Sequence, residues 1–173
     1  MRHTAPVGNL LDELDAIAGA GGTIDELARR AESALADPAV VAAEIREPEA
    51  LFSGAERRWD ALVERTRQAW LRYRGGSGRP LGSHGEAPDA RAPELFATPT
   101  YLEKAGIYRP SELRERAAVD EPWAAREALR LSMILLAVEA LIARLDDGSI
   151  EPAAWSGAIE QIVRRFGRMA IAR

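Results

Sequence analysis

The sequence predicts an all-α protein, a bundle of about seven or eight helices around one buried helix at roughly residues 121–146. The first observation is the composition. Ala occurs 33 times and Val only 7 times in 173 residues, and Ala favours helices whereas β-branched residues favour strands. The second is the run from Leu131 to Ala143, which contains one charged residue, Glu139, and no Gly or Pro. Because a helix that is apolar on nearly every side is normally buried, we expect this run at the centre.

Three short amphipathic helices are predicted before the first long one. Apolar residues at helical spacing run from Val7 to Ala18, and the segment from Gly19 to Gly22 ends this helix. Thr23 and Glu26 have the spacing of a capping box, which begins the second helix. The pair Asp37–Pro38 begins the third, since Pro is favoured in the first helical turn.

A longer helix is predicted from about Ser53 to Tyr73, followed by a segment, residues 75–93, with five Gly and three Pro. The apolar face of this helix comprises Trp59, Leu62, Val63, Thr66, Trp70 and Tyr73. A structureless loop of this length is unusual inside a compact domain. We therefore expect either a linker between two helical lobes, residues 1–74 and 94–173, or a segment that docks on a partner. A single domain is the alternative to two lobes.

Pro, Gly and capping residues also predict the limits of the remaining helices. Thr98–Pro99 begins a short helix that Gly106 ends, and Pro110 begins the next one. Asp120 has the position of an N-cap for the central helix. Pro152 is expected to begin the last helix.

The composition also limits the classes of protein to which the chain can belong. It has no Cys, which excludes disulfides and thiolate metal sites. No apolar leader follows Met1, so we expect a cytoplasmic protein. A membrane span needs about 18 uninterrupted apolar residues, and Glu139 interrupts the most apolar run. The net charge is −4, whereas dedicated nucleic-acid-binding domains are usually basic.

No catalytic, cofactor-binding or metal-binding motif is found in the sequence. The two His residues are His3 and His84, and neither belongs to an HExxH, Glu-x-x-His or calcium-loop pattern. We therefore predict no metal, no cofactor and no catalytic residues. The sequence favours a non-enzymatic role.

Glu139 is the single acid within the most apolar part of the chain. A buried carboxylate is costly unless it is paired or protonated. The favoured interpretation is a structural ion pair with an Arg from a neighbouring helix. The alternative is a tuned acid or ligand contact, in an enzyme or small-ligand carrier with a pocket near Glu139.

A basic stretch near the end of the long helix suggests a possible anion-binding surface. Its members are Arg65, Arg67, Arg72, Arg74 and Arg79, with Trp70 and Tyr73 between them. Cations interleaved with aromatic residues are typical of surfaces that contact phosphates and bases. A helical nucleic-acid-binding or regulatory module is therefore one alternative function. Neutralisation of the acidic N-terminal helices is the other interpretation of these charges.

The last helix carries a continuous apolar seam, which we interpret as a possible interface. The seam comprises Trp155, Ile159, Ile162, Val163, Phe166 and Met169. Together with the apolar run at 131–143 it offers more apolar surface than the short N-terminal helices are expected to cover. The leading functional hypothesis is a non-catalytic assembly or accessory subunit that binds another protein or a second copy of itself.

Overall fold

The computed structural model describes residues 9–76 and 98–173; at positions 70 and 72–76 the description covers the backbone alone. Over these ranges the regular structure is entirely helical, which confirms the all-α prediction. The eight helices of the described ranges are α1 (Leu10–Gly19), α2 (Ile24–Leu35), α3 (Pro38–Glu44), α4 (Pro48–Gly76), α5 (Thr98–Lys104), α6 (Pro110–Ala117), α7 (Glu121–Asp146) and α8 (Trp155–Gly167). A 3₁₀ turn, Pro152–Ala154, precedes α8.

Local capping chemistry sets most of the helix starts that the sequence predicts. The Thr23 hydroxyl accepts a bond from the Glu26 backbone N–H at 3.1 Å, and the Glu26 carboxylate accepts the Thr23 N–H at 2.7 Å. Asp120 accepts the Trp123 N–H at 3.1 Å at the start of α7. One boundary differs from the prediction: the long helix was expected from about Ser53, but α4 begins at Pro48. Pro is favoured at that first position because it needs no N–H partner there.

Helix α7 is buried along most of its length, and α1, α4, α6 and α8 pack against it. Its residues from Leu131 to Val138 are all buried. The partner α4 contributes Leu62, which is fully buried, while α8 contributes Phe166. Burial removes most of the apolar surface of this helix from water, which is the main source of stability in such a bundle.

The helices before and after residues 77–97 share one hydrophobic core. Leu14 and Leu27 from the first part of the chain belong to the same cluster of buried residues as Leu135 and Ile162 from the second part. The predicted linker, residues 75–93, begins inside the last turn of α4, and its remainder lies outside the described residues.

Arginine side chains hold the ends of the helices in place. Arg130 of α7 donates to the carbonyl oxygens of Phe166 and Met169, at 2.6 and 2.8 Å, and so satisfies the C-terminal end of α8. Arg144 of α7 donates to the Gly22 carbonyl at 2.6 Å, in the turn between α1 and α2. These bonds fix α8 and the α1–α2 hairpin against the central helix.

Within the described ranges, no helix is both long enough and apolar enough to cross a lipid bilayer.

Candidate functional site: a polar cleft between α4 and α7

A cleft of about 570 Å³ opens between α1, α3, α4 and α7. Its lining combines small apolar residues with charged side chains and one buried hydroxyl. The lining residues used below are Asp12, Glu44, Arg46, Glu47, Gly54, Arg57, Arg58, Ser132 and Glu139. The volume lies within the range of about 300–1,000 Å³ that is usual for small-molecule sites.

Glu139 reaches the cleft from α7 and is bound by Arg58 of α4. The Arg58 guanidinium donates to Glu139 Oε1 at 3.1 Å and, through its other terminal nitrogen, to Asp15 of α1 at 3.1 Å. The Glu139 side chain is 20% exposed. Burial raises the pKa of Glu139 above its ordinary value, and the nearby charges of Arg58 and Arg65 oppose this rise. The expected ion pair with a neighbouring helix is therefore present, but Glu139 is half-buried, not enclosed.

Ser132 also lines the cleft, two helical turns before Glu139 on the same face of α7. It is only 1% exposed, and its hydroxyl makes no hydrogen bond with any residue in the described part of the chain. A buried hydroxyl without a partner costs about 1–3 kcal/mol. Such a group is the kind of feature that a bound molecule satisfies.

Gly54 forms part of the wall that α4 contributes. A Cβ atom added there would meet only a guanidinium nitrogen of Arg57, at 3.7 Å, which is an ordinary van der Waals contact. Gly inside a helix is less stable than Ala by roughly 0.5–1 kcal/mol. Since no described neighbour excludes a side chain, packing does not explain this glycine. Its effect is to leave space in the cleft.

Glu44 has a structural role at the edge of the cleft. The side chain is buried, and its Oε2 accepts the Leu10 backbone N–H at 2.9 Å. This bond satisfies one of the free N–H groups at the start of α1. Burial raises the pKa of Glu44, and the backbone N–H bonds from Leu10 and Asn9 partly offset that rise. Glu44 therefore attaches α1 to α3 and fixes that wall.

Ser132 and Glu139 are too far apart along α7 to exchange a proton with each other. Ser132 and Glu139 are seven residues apart on one helix, a rise of about 10 Å along the axis. That distance is too long for a direct proton transfer between the two side chains, which requires roughly 2.6–3.2 Å. The two groups can instead contact different parts of one bound molecule.

The seam predicted as an interface lies within this chain. Five of its six residues are buried in the common core: Trp155, Ile159, Ile162, Phe166 and Met169. Val163 is half-buried at the edge. The Trp155 indole N–H donates to the Thr98 hydroxyl of α5 at 3.1 Å. These side chains pack against the described helices of their own chain, so the surplus apolar face expected from the sequence is not formed here.

Of the five predicted anion-binding residues, Arg65 and Arg67 have described side chains. Arg65 lies near Glu139 and partly offsets the effect of its burial. Arg67 pairs with Glu64 at 2.6 Å on the exposed side of α4. The side chains of Arg72 and Arg74, and all of Arg79, lie outside the described part of the structure.

Arginines outside the predicted basic stretch pair with the acidic N-terminal helices. Arg165 of α8 donates to Asp25 and also pairs with Glu32 at 3.4 Å, both on α2. Arg58 reaches Asp15 on α1. The acidic charge of α1 and α2 is therefore partly compensated by contacts between distant helices.

A second cleft, of about 450 Å³, lies between α5, α7 and α8. Arg130 lines it but is already bonded to Glu127, at 3.1 Å, and to the end of α8. Arg164 lies 3.8 Å from Glu160 on the same helix. The polar groups of this cleft serve mainly to position α8. In neither cleft, nor elsewhere in residues 9–76 and 98–173, do three or more His, Asp or Glu side chains come together as a metal site would require.

Three residues of the first cleft, Ser132, Gly54 and Arg58, did not stand out in the sequence. A signal for Ser132 was available, because Ser132 and Glu139 are the two polar residues of the run 131–143 and their spacing of seven places them on one helix face. Gly54 is a glycine inside a predicted helix, which often has a functional or packing cause. Nothing local distinguishes Arg58 from the adjacent Arg57.

Comparisons of the chain with protein-family models, with curated proteins and with solved structures give no match. By its fold and its cleft, the protein is an all-α bundle with a polar cleft between the two longest helices of the described ranges.

Proposed function

We propose that this protein binds a small polar molecule in the cleft between α4 and α7. The observation that carries the proposal is the buried Ser132 hydroxyl, which lines the cleft without a described hydrogen-bond partner. Natural proteins pair nearly all of their buried polar groups. A ligand that hydrogen-bonds to Ser132 would complete this pairing.

Two further features support binding at this place. Glu139 is held by Arg58 through one oxygen, so its carboxylate is oriented while its second oxygen has no described partner. Gly54 leaves space although a side chain could be accommodated. Both features reduce stability and both lie in the cleft, which is the pattern expected when a binding site is maintained at some cost to the fold. We include a cytoplasmic location in the proposal.

The first prediction uses two glycine variants as a matched pair. A library of small polar compounds is screened against the ¹⁵N-labelled protein by correlation NMR, and hits are mapped by the amides that shift. Gly54→Leu places a side chain in the cleft, whereas Gly157→Leu on the exposed side of α8 has nothing within 4 Å of the added Cβ. Both remove a helical glycine, so neither is expected to lower the Tm.

We expect hits whose shifts are concentrated around Gly54, Ser132 and Glu139. These hits should be lost in Gly54→Leu and retained in Gly157→Leu. Hits that bind Gly54→Leu as well as the wild type, or an absence of hits across the library, would rule the cleft out as a binding site.

Protein–protein contact is a second candidate, and the outer face of α4 is the observation that favours it. Val63 was expected on the buried face, but it is 44% exposed and Leu71 is 43% exposed. Large aliphatic side chains exposed on one helix can contribute to an interface. Size-exclusion chromatography with light scattering tests this candidate: an oligomer of the wild type that becomes a monomer in Val63→Glu/Leu71→Glu supports it, and a wild-type monomer with no partner opposes it.

A further inference from the structure

We infer that the ligand of this cleft is a zwitterion with an aliphatic part, such as a free amino acid or a short peptide. This inference rests on the proposed binding function and specifies the chemical class that the cleft recognises.

The charges that line the cleft nearly balance. It has the carboxylates of Asp12, Glu44, Glu47 and Glu139 and the guanidinium groups of Arg46, Arg57 and Arg58. The excess is one negative charge, so an anionic ligand would add to it in a partly desolvated site, which is costly. A zwitterion adds no net charge and can pair with a carboxylate and a guanidinium group of the lining at the same time.

Groups of both signs are open to a ligand. Arg58 occupies Oε1 of Glu139, and the other carboxylate oxygen has no described partner, so it can accept a hydrogen bond from an ammonium group. Arg57 lines the cleft, is exposed, and makes no ion pair with any residue of the described ranges. A free guanidinium group binds a carboxylate with two parallel hydrogen bonds.

The remaining lining residues suit an uncharged, partly apolar middle section of the ligand. Leu11, Ala43, Leu51 and Ala61 supply aliphatic surface beside the charged groups. The Ser132 hydroxyl can both donate and accept, so it can bond to an amide or a carboxylate. A molecule that carries an ammonium group, a carboxylate and an aliphatic side chain would contact all three kinds of surface.

The test compares three probes that share one aliphatic skeleton. Leucine carries both charges, 3-methylbutylamine lacks the carboxylate, and 4-methylpentanoate lacks the ammonium group. Binding of each probe, and of alanyl-leucine as a longer zwitterion, is measured by NMR titration with the wild type, Glu139→Gln and Arg57→Met. Arg67→Met, on the exposed side of α4, is the matched control.

We expect at least one zwitterion to bind roughly tenfold or more tightly than either single-charge analogue, since each analogue leaves one charged partner unsatisfied. Glu139→Gln should weaken the binding of the zwitterions and of the amine, but not of the carboxylate. Arg57→Met should weaken the binding of the zwitterions and of the carboxylate, but not of the amine. Arg67→Met should leave the affinity for every probe unchanged.

The zwitterion assignment fails if a single-charge analogue binds as tightly as leucine or alanyl-leucine, if both charge variants bind the zwitterions normally, or if no zwitterion binds. In each of these cases the binding function can still stand, because the library screen with Gly54→Leu tests it with compounds of other charge classes. If that screen finds no compound whose binding is lost in Gly54→Leu, both the binding function and the zwitterion assignment are ruled out.

Discussion

Helix α4 presents an Arg–carboxylate cluster on each of two sides, and the two clusters are built differently. On one side, Arg114 of α6 donates to Glu49 at 2.8 and 2.9 Å and also binds Glu56. On the other side, Arg58 of α4 donates a single bond to Glu139. The first cluster is a clamp with several bonds to one guanidinium group. The second leaves a carboxylate oxygen available at the edge of a cleft.

The pKa values of the carboxylates are shifted in opposite directions in the two clusters. Hydrogen bonds from Arg114 lower the pKa values of Glu49 and Glu56 below their ordinary range. Burial raises the pKa of Glu139, and the charge of Arg58 only partly offsets this effect. Side-chain exposure differs in the same direction: Glu49 is 74% and Glu56 39% exposed, whereas Glu139 is 20% exposed. In the clamp, the carboxylates are more exposed and paired by several bonds, and in the cleft the charge is more desolvated and only partly paired.

The same residue types therefore form a fully bonded clamp on one side of α4 and leave a carboxylate oxygen without a described partner on the other. An exposed carboxylate that loses its Arg partner is solvated by water, so the loss is limited. A half-buried carboxylate that loses its partner keeps its desolvation penalty. Breaking the two clusters should therefore have unequal effects.

The largest effect is expected for Arg58→Met. This change leaves Glu139 half-buried without its partner, and we expect the free energy of unfolding at pH 7 to fall by about 1–3 kcal/mol in urea denaturation. Arg58→Met/Glu139→Gln removes the charge as well and should recover most of the loss. A double variant as unstable as Arg58→Met would show that Arg58 stabilises mainly through packing of its stem.

A smaller effect is expected for Arg114→Met. The clamp bonds and the contact of the guanidinium group with the Phe52 ring are lost, but Glu49 and Glu56 are more exposed to water than Glu139. We expect the Tm to fall by roughly 2–4 °C, less than in Arg58→Met at the same pH. The difference between the two clusters would be contradicted by a larger fall in Arg114→Met, measured by calorimetry of both variants in one buffer.

The fold could be predicted from the sequence because its signals are local. Thr23, Asp37 and Asp120 cap helices where their spacing indicated, and each accepts a backbone N–H from the first turn. The run without charge from Leu131 to Val138 is buried as its composition indicated. These features depend on residues close together in the chain, so the sequence predicts them without knowledge of how the helices pack.

The cleft could not be predicted in the same way, because it depends on which helices pack together. Arg58 and Glu139 are 81 residues apart, and no local pattern joins them. The apolar seam of α8 shows the same limit: an amphipathic face has one sequence signature whether its own chain or a partner covers it. Val63 was misplaced because the apolar stripe of α4 is narrower than its hydrophobic residues suggested.

The most direct test of the difference between the two sides of α4 is the pH dependence of stability in Glu139→Gln and Glu56→Gln. A carboxyl group whose pKa is raised in the folded state loses stability as pH rises above its unfolded value, whereas one whose pKa is lowered gains stability as pH rises through that range. The ordinary pKa of a glutamate side chain is about 4.3. Urea unfolding of both variants and the wild type is measured between about pH 3 and pH 7.

We expect Glu139→Gln to become more stable relative to the wild type as pH rises, and Glu56→Gln to become less stable over the same interval. If the stability relative to the wild type changed with pH in the same direction for both variants, the account would be contradicted. Glu139 would then be as fully paired as Glu56, and the cleft would hold no unsatisfied charge for a ligand.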